Sequence, residues 1–170
     1  MSLESVAAKI DCLNNNIGRY MSWLALLMVI VMCFNVISRY VLNTTLVWQQ
    51  ELVGYMHAIL FLSTAGYTLL GDGHVRVDVF YQNFSEKRKA LVNLLGTLFF
   101  LIPVCLCIAI YSGDFILNSW DILEGSSEYD GLPGLFILKS FIWFFCASMV
   151  LQGVSVICRS FDILNKSGRV

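Results

Sequence analysis

Few side chains in this sequence could carry chemistry, and two of them fall in one apolar stretch. Glu51 and His57 lie within residues 51–70, and ionisable groups inside a membrane are costly and often functional. They could relay protons or ions in a self-sufficient, homo-oligomeric four-helix carrier. The alternative is structural, because Arg39 ends the preceding apolar stretch and Trp48 marks a membrane edge beside Glu51. An Arg39–Glu51 ion pair that anchors the intervening hairpin is favoured, with His57 as a hydrogen-bonded packing residue.

The sequence lacks the motifs of common enzymes and ATP-driven motors. It contains no glycine-rich Lys-Ser/Thr phosphate loop, no Gly-x-Ser-x-Gly nucleophile motif and no Cys-x-x-Cys pair. The second histidine, His74, lies outside the stretch that holds His57, so paired haem ligands are not expected. Four of the six cysteines fall inside apolar stretches and are predicted to be packing residues. We therefore predict no enzyme activity and no catalytic, cofactor-binding or metal site.

The composition predicts a membrane protein. Of the 170 residues, 58% are hydrophobic and 14% are charged, against about 25% charged in soluble domains. Four apolar stretches approach the length of about 20 residues that an α-helix needs to cross a bilayer. The sequence thus predicts an all-α protein with four transmembrane helices in a single membrane domain, residues 1–170, and nucleic acid is not an expected partner. The stretches cover residues 20–38, 51–70, 90–111 and 136–157.

The segment before the first stretch predicts an additional short helix. Apolar residues between Leu3 and Ile17 recur at helical spacing, and Asn14–Asn16 and Gly18 interrupt this pattern. We expect an amphipathic helix over residues 3–17 on the membrane surface; the alternative is a solvated, partly frayed segment.

The distribution of basic residues predicts the orientation. Nine of the eleven lysines and arginines fall on one side of the predicted topology, which also holds both termini. The positive-inside rule then places both termini in the cytoplasm. The segment between the third and fourth stretches carries five acidic residues and no base, so we expect an acidic, outward-facing loop.

One face of the second stretch combines small and polar residues at helical spacing. Small residues let helices approach closely in a bilayer, and polar residues hydrogen-bond between helices. This face is therefore predicted to pack against protein, and the opposite face, which includes Met56, against lipid. The protein-facing set, which Phe61 interrupts, is Gln50, Glu51, Gly54, His57, Ala58, Thr64, Ala65 and Thr68.

Three local motifs flank the first two stretches. Ser38-Arg39-Tyr40-Val41-Leu42-Asn43 closes the first, Trp48 with Glu51 opens the second, and Gly73-His74-Val75-Arg76-Val77-Asp78 follows it. In this order they resemble the small membrane subunit of tripartite ATP-independent periplasmic (TRAP) transporters, the DctQ-type subunit. The resemblance covers nearly the whole chain. Many members have two acidic residues after the tryptophan, whereas here Gln50 precedes a lone Glu51.

The resemblance implies a scaffold subunit in the bacterial inner membrane. Such a subunit binds a large polytopic membrane subunit that carries substrate and sodium, and a periplasmic solute-binding protein delivers the solute. The transported solutes are organic acids or related small molecules, and sodium gradients drive their uptake.

The resemblance also suggests roles for individual residues. The polar face of the second helix is expected at the interface with the large subunit, and the acidic loop is expected to contact the solute-binding protein. Two further groups are expected to be structural: Arg39, Trp48 and Glu51 at the outer hairpin end, and His74, Arg76 and Asp78 at the inner junction.

Overall fold

The structure, a computed structural model, describes residues 3–74, 81 and 83–166, and these residues form helices and turns with no strand. Four helical segments are long and apolar enough to cross a membrane, which confirms the predicted all-α, four-helix membrane architecture. The helices are α1 Leu3–Tyr40, α2 Val47–Leu70, α3 Glu86–Gly96, α4 Ile102–Tyr111, α5 Gly113–Asp121 and α6 Leu135–Lys166. A π-helical segment, Thr97–Leu101, joins α3 to α4, and α3 through α5 together form the third span, Glu86–Asp121.

Helix α1 is continuous, so the predicted interruption at Asn14–Gly18 is wrong. The Asn14 side chain is buried, and its Nδ2 donates to Gln152 Oε1 on α6 at 2.7 Å. Because this amide bonds to another helix, it does not compete with the backbone hydrogen bonds of α1. Gly18 lies under the ring of Tyr67, which a Cβ atom at this position would overlap. Both residues are packing positions in one long helix, and residues 3–17 do not form a separate element.

Helix α2 ends where its sequence predicts, at a pair of glycines. The Gly71 amide donates to Tyr67 O at 3.1 Å, and the Gly73 amide donates to Thr68 O at 2.9 Å. Asp72 between them adopts a positive φ of 53°. Amides beyond the helix thus satisfy carbonyl groups of its last turn, which would otherwise lack intrahelical partners.

The third span contains an irregular turn that the sequence analysis did not predict. Pro103, in the first turn of α4, has no N–H to donate to a preceding carbonyl, and the π-helical segment ends two residues before it, at Leu101. Gly153 of α6 packs against this segment, since a Cβ atom there would lie 3.1 Å from Thr97 Cγ2 and Leu101 Cδ2. The span also continues through α5, so the first part of the predicted acidic loop is helical.

Helix α6 holds the bundle together, because it contacts α1, α2 and all parts of the third span. The packed core includes Ala65 of α2, Cys105 of α4, and Cys146 and Met149 of α6. Several serines of α2 and α6 are also buried. Small core side chains allow the close helix approach that is typical of membrane interfaces.

Candidate functional site: an exposed stripe on α2 and a braced hairpin end

An exposed stripe runs along the first half of α2. Gln50, Gly54, His57 and Phe61 recur at three- and four-residue spacing, so they share one side of the helix, and all four are exposed. We call these four residues the α2 stripe. A Cβ atom built on Gly54 would have no neighbour within 4 Å. The stripe therefore presents two polar side chains and the Phe61 ring, with open space beside Gly54 that the subunit itself does not fill.

Other members of the predicted protein-facing set lie elsewhere on α2. Ala58 and Thr64 are half-buried within the subunit, and Thr64 Oγ1 donates to Leu60 O on its own helix at 2.8 Å. Met56, expected to face lipid, is buried, so that expectation is wrong. Helix α2 packs against α1 and α6, and the stripe side is exposed.

Glu51 connects the hairpin between α1 and α2 to the loop that precedes α6. Its Oε1 accepts a hydrogen bond from Ser126 Oγ, and its Oε2 accepts one from the Leu132 amide at 2.6 Å. A Cβ atom on Gly131 would lie 2.9 Å from Glu51 Oε2, so glycine at this position lets the loop approach the carboxylate. Glu51 thereby fastens the loop before α6 to the start of α2.

The predicted Arg39–Glu51 pair is therefore wrong. Arg39 is exposed and lines a cavity of about 440 Å³ together with Asn35 and Gln50, beside the α2 stripe. The Glu51 carboxylate instead bonds to the loop before α6. Trp48, predicted to share this site, lies nearby in sequence with an exposed fraction of 39%.

His57 and Glu51 do not face each other. Six residues separate them on one helix, which places their side chains about 120° apart around its axis. The Glu51 carboxylate is bonded to the loop, whereas His57 lies on the exposed stripe. This arrangement gives no support to a relay formed by the two residues.

An ion pair between Lys139 and Glu124 also joins the loop before α6 to α6 itself. Lys139 of α6 donates to Glu124 Oε2, and this hydrogen bond holds the pKa of Glu124 below its ordinary value. The acidic loop was expected to have no compensating base, but Lys139 supplies one from the adjoining helix. Trp120 Nε1 also donates to Ser140 Oγ at 2.8 Å, which joins α5 to α6.

The opposite end of the bundle contains a polar cluster that sequence reasoning missed. Asp11 of α1 is 8% exposed, and its Oδ1 accepts from Gln152 Nε2 at 2.9 Å and from Ser155 Oγ at 2.6 Å. Arg159 donates to Asp11 Oδ2. The sequence signal for this cluster was the presence of Asp11 and Asn14 one helical turn apart. The structure places both residues on the side of α1 that contacts α6.

The predicted inner junction is described only in part. His74 is exposed at a bend after α2, whereas Arg76 and Asp78 lie outside the described residues. Among residues 3–74, 81 and 83–166, no three His, Cys, Asp or Glu side chains group closely enough to hold a metal ion. The six cysteines are free thiols. The buried polar side chains described above thus take part in helix packing and in hydrogen bonds within the subunit.

Comparison with known proteins gives one result. Neither a curated protein nor a solved structure matches the chain. Residues 28–162 match the family described as "Tripartite ATP-independent periplasmic transporters, DctQ component". The matched range includes the last third of α1, Glu51 with its partners Ser126 and Leu132, the α2 stripe and most of α6. The chain therefore belongs to the DctQ family and is a small membrane subunit of a TRAP transporter.

Proposed function

We propose that the chain is a scaffold that binds a large polytopic TRAP subunit through the α2 stripe. The observation that carries this proposal is the open surface at Gly54, where a Cβ atom meets nothing within 4 Å although α2 packs against both α1 and α6. Gln50 and His57 flank this opening and offer hydrogen-bonding groups to a partner helix. A small residue between polar ones suits close helix approach between subunits.

The wider transport system follows from the family. We propose that the large subunit carries the substrate and sodium, that a periplasmic solute-binding protein delivers the substrate, and that organic acids or related small solutes are taken up. In this proposal the chain lies in the bacterial inner membrane with both termini in the cytoplasm. The exposed carboxylates of Glu128 and Asp130 would then face the compartment of the solute-binding protein.

Co-purification tests the scaffold proposal. The tagged full chain is extracted from its native membrane in mild detergent, and its companions are identified and quantified by mass spectrometry. We expect one large polytopic protein in about equal amount with the wild type and a clear loss of it with Gly54→Leu. Gly113→Leu is the matched control, because a Cβ atom at Gly113 also meets nothing within 4 Å but lies far along the chain, in α5.

Two outcomes would overturn the proposal. Full retention of the large protein by Gly54→Leu would show that the stripe is not the interface. Recovery of the wild-type chain alone, as a stable homo-oligomer that transports solute in vesicles, would restore the self-sufficient carrier. Half-buried Ala58 is left unchanged in these experiments, since a leucine there would disturb packing within the subunit.

A further inference from the structure

A large apolar cavity opens on a different side of the bundle from the α2 stripe. It has a volume of about 710 Å³ and lies between the end of α2, the third span and α6. Buried Cys105 and Met149 are among its lining residues, together with Leu69 and Phe145. The volume falls within the range of about 300 to 1,000 Å³ that is common for ligand pockets. Because its walls belong to membrane-spanning helices, the cavity is accessible to hydrocarbon chains.

The π-helical segment shapes one wall of this cavity. The cavity is lined here by Gly96, Thr97 and Leu101. Gly153 of α6 packs closely against the π-helical segment. A Cβ atom on Gly96 meets nothing within 4 Å, so this glycine leaves space that most side chains would fill. Single π-helical turns within α-helices are rare and frequently occur at functional sites.

A second, polar cavity continues from the first toward the chain termini. Its volume is about 440 Å³, and Leu69, Tyr81 and Asn93 line both cavities. Asn93 Nδ2 donates to the Tyr81 hydroxyl at 3.0 Å, which places a polar pair at the junction between the two. Lys89 and Arg159 line the polar cavity only. The apolar cavity thus adjoins a polar cavity that contains two cations, and the Asn93–Tyr81 pair lies where the two meet.

The two cations keep hydrogen-bonding capacity for a further anion. Lys89 Nζ lies 3.3 Å from Glu86 Oε1, and the side chains are 28% and 82% exposed. Arg159 bonds to Asp11, yet its side chain remains 61% exposed. Asp72 and Glu86 also line this cavity. No side-chain hydrogen bond caps α3 at Ser85, and the N-terminus of a helix favours anions.

We propose that these joined cavities bind one glycerophospholipid of the surrounding bilayer. An acyl chain would occupy the apolar cavity, and the phosphate would lie between Lys89 and Arg159. A phospholipid matches the apolar walls, the polar Asn93–Tyr81 pair and the two cations of the polar cavity, which also holds two carboxylates. A transmembrane helix of another protein would match only the apolar walls. Basic pockets between transmembrane helices are known to bind anionic headgroups.

Photo-crosslinking tests where the acyl chain lies. The full chain, with any protein that co-purifies, is placed in vesicles of phosphatidylglycerol and phosphatidylethanolamine that contain a phosphatidylglycerol with a photoreactive acyl chain. Labelled peptides are mapped by mass spectrometry. We expect labelling around Val104 to Ile108 and around Phe145, and its loss in Gly96→Leu, which fills the cavity. Gly113→Leu, also free of Cβ contacts but outside the cavity lining, should label like the wild type.

A second pair of variants tests the headgroup. Lys89→Gln should weaken phosphatidylglycerol binding about fivefold, the effect of one basic residue near an anionic headgroup. Lys87→Gln, on the same helical turn but absent from the cavity lining, should leave binding unchanged. Equal effects of both variants would indicate general surface attraction and would overturn the proposed site.

The leucine variants also separate this site from the subunit interface. Unchanged lipid labelling in Gly96→Leu would overturn the lipid proposal, and so would loss of the large protein from that variant, which would assign the cavity to a protein helix. Unchanged thermal unfolding and helicity of Gly96→Leu would exclude misfolding as the cause of lost labelling. Gly54→Leu should keep the lipid, so failure of the scaffold proposal and failure of this one give different results.

Discussion

At the scale of single residues, Asp11 makes the largest set of polar contacts between α1 and α6. Its carboxylate accepts hydrogen bonds from Gln152, Ser155 and Arg159. We expect Asp11→Ala to lower the free energy of unfolding by about 3 kcal/mol, because buried donors are left unpaired. Glu4→Ala is the matched control, since Glu4 pairs with Lys166 at 2.9 Å between the same helices but is exposed. This control should cost less than about 1 kcal/mol.

Denaturant unfolding of both variants in one detergent measures the two effects. A larger loss for Asp11→Ala would show that the burial of an ion pair, and not its mere presence, decides how much it contributes to the free energy of unfolding. Equal losses would contradict the assignment of Asp11 as the main polar contact between these helices.

Glu124 gives a pH-dependent prediction at the hairpin end. The hydrogen bond from Lys139 lowers the pKa of Glu124 from its ordinary value near 4.5. A carboxylate with a lowered pKa in the folded state stabilises the fold fully above its unfolded pKa and loses this effect as the pH falls through its folded pKa. On acidification below about pH 4.5, the melting temperature of the wild type should therefore fall more than that of Glu124→Gln. Parallel curves for the two proteins would show that the pair does not stabilise the fold.

At the scale of helices, Gly66 marks the position where three helices meet. A Cβ atom there would lie 3.0 Å from Asn14 Oδ1 on α1 and 3.0 Å from the Ser148 carbonyl oxygen on α6. Gly66→Ala should thus reduce stability by about 1 to 3 kcal/mol, the usual cost of overpacking. Gly54→Ala on the same helix has open space and should show no loss. Comparing the unfolding of these two variants checks the prediction, and equal stability would mean that the junction can expand.

The helices also show which features local sequence can predict. Long apolar runs indicate the four spans because a helix in lipid must satisfy its backbone internally. Local spacing could not identify the partners of Glu51, since Ser126 and Leu132 lie far away in the chain. Asn14 and Gly18 illustrate the same limit, because their types fit both a helix end and a helix–helix contact.

The π-helical segment and the Asp11 cluster were missed for related reasons. Pro103 was a local signal for an irregular turn, but the position of that turn also depends on Gly153 from another helix. Asp11 gains its significance only from Gln152 and Arg159, which the fold brings to it from α6.

At the scale of the whole molecule, the bundle is thin and leaves much apolar side-chain surface uncovered. Tyr20, Trp23 and Ile30 of α1 are each more than half exposed, as is Phe100 in the third span. Lipid or another membrane subunit must cover such surfaces, which suits a subunit that widens a larger assembly. The α2 stripe interrupts this surface with two polar side chains, Gln50 and His57, which hydrocarbon would cover less favourably than a partner subunit.

The orientation of the whole molecule gives the last prediction. In the predicted topology, nine of the eleven basic residues fall on the side of the termini, and the positive-inside rule assigns that side to the cytoplasm. A green fluorescent protein fused after Val170 should therefore fluoresce, and alkaline phosphatase fused there should be inactive. Alkaline phosphatase inserted at exposed Glu128, in the loop between α5 and α6, should be active. The reverse pattern would place the acidic loop in the cytoplasm and remove it from the side where a periplasmic protein could reach it.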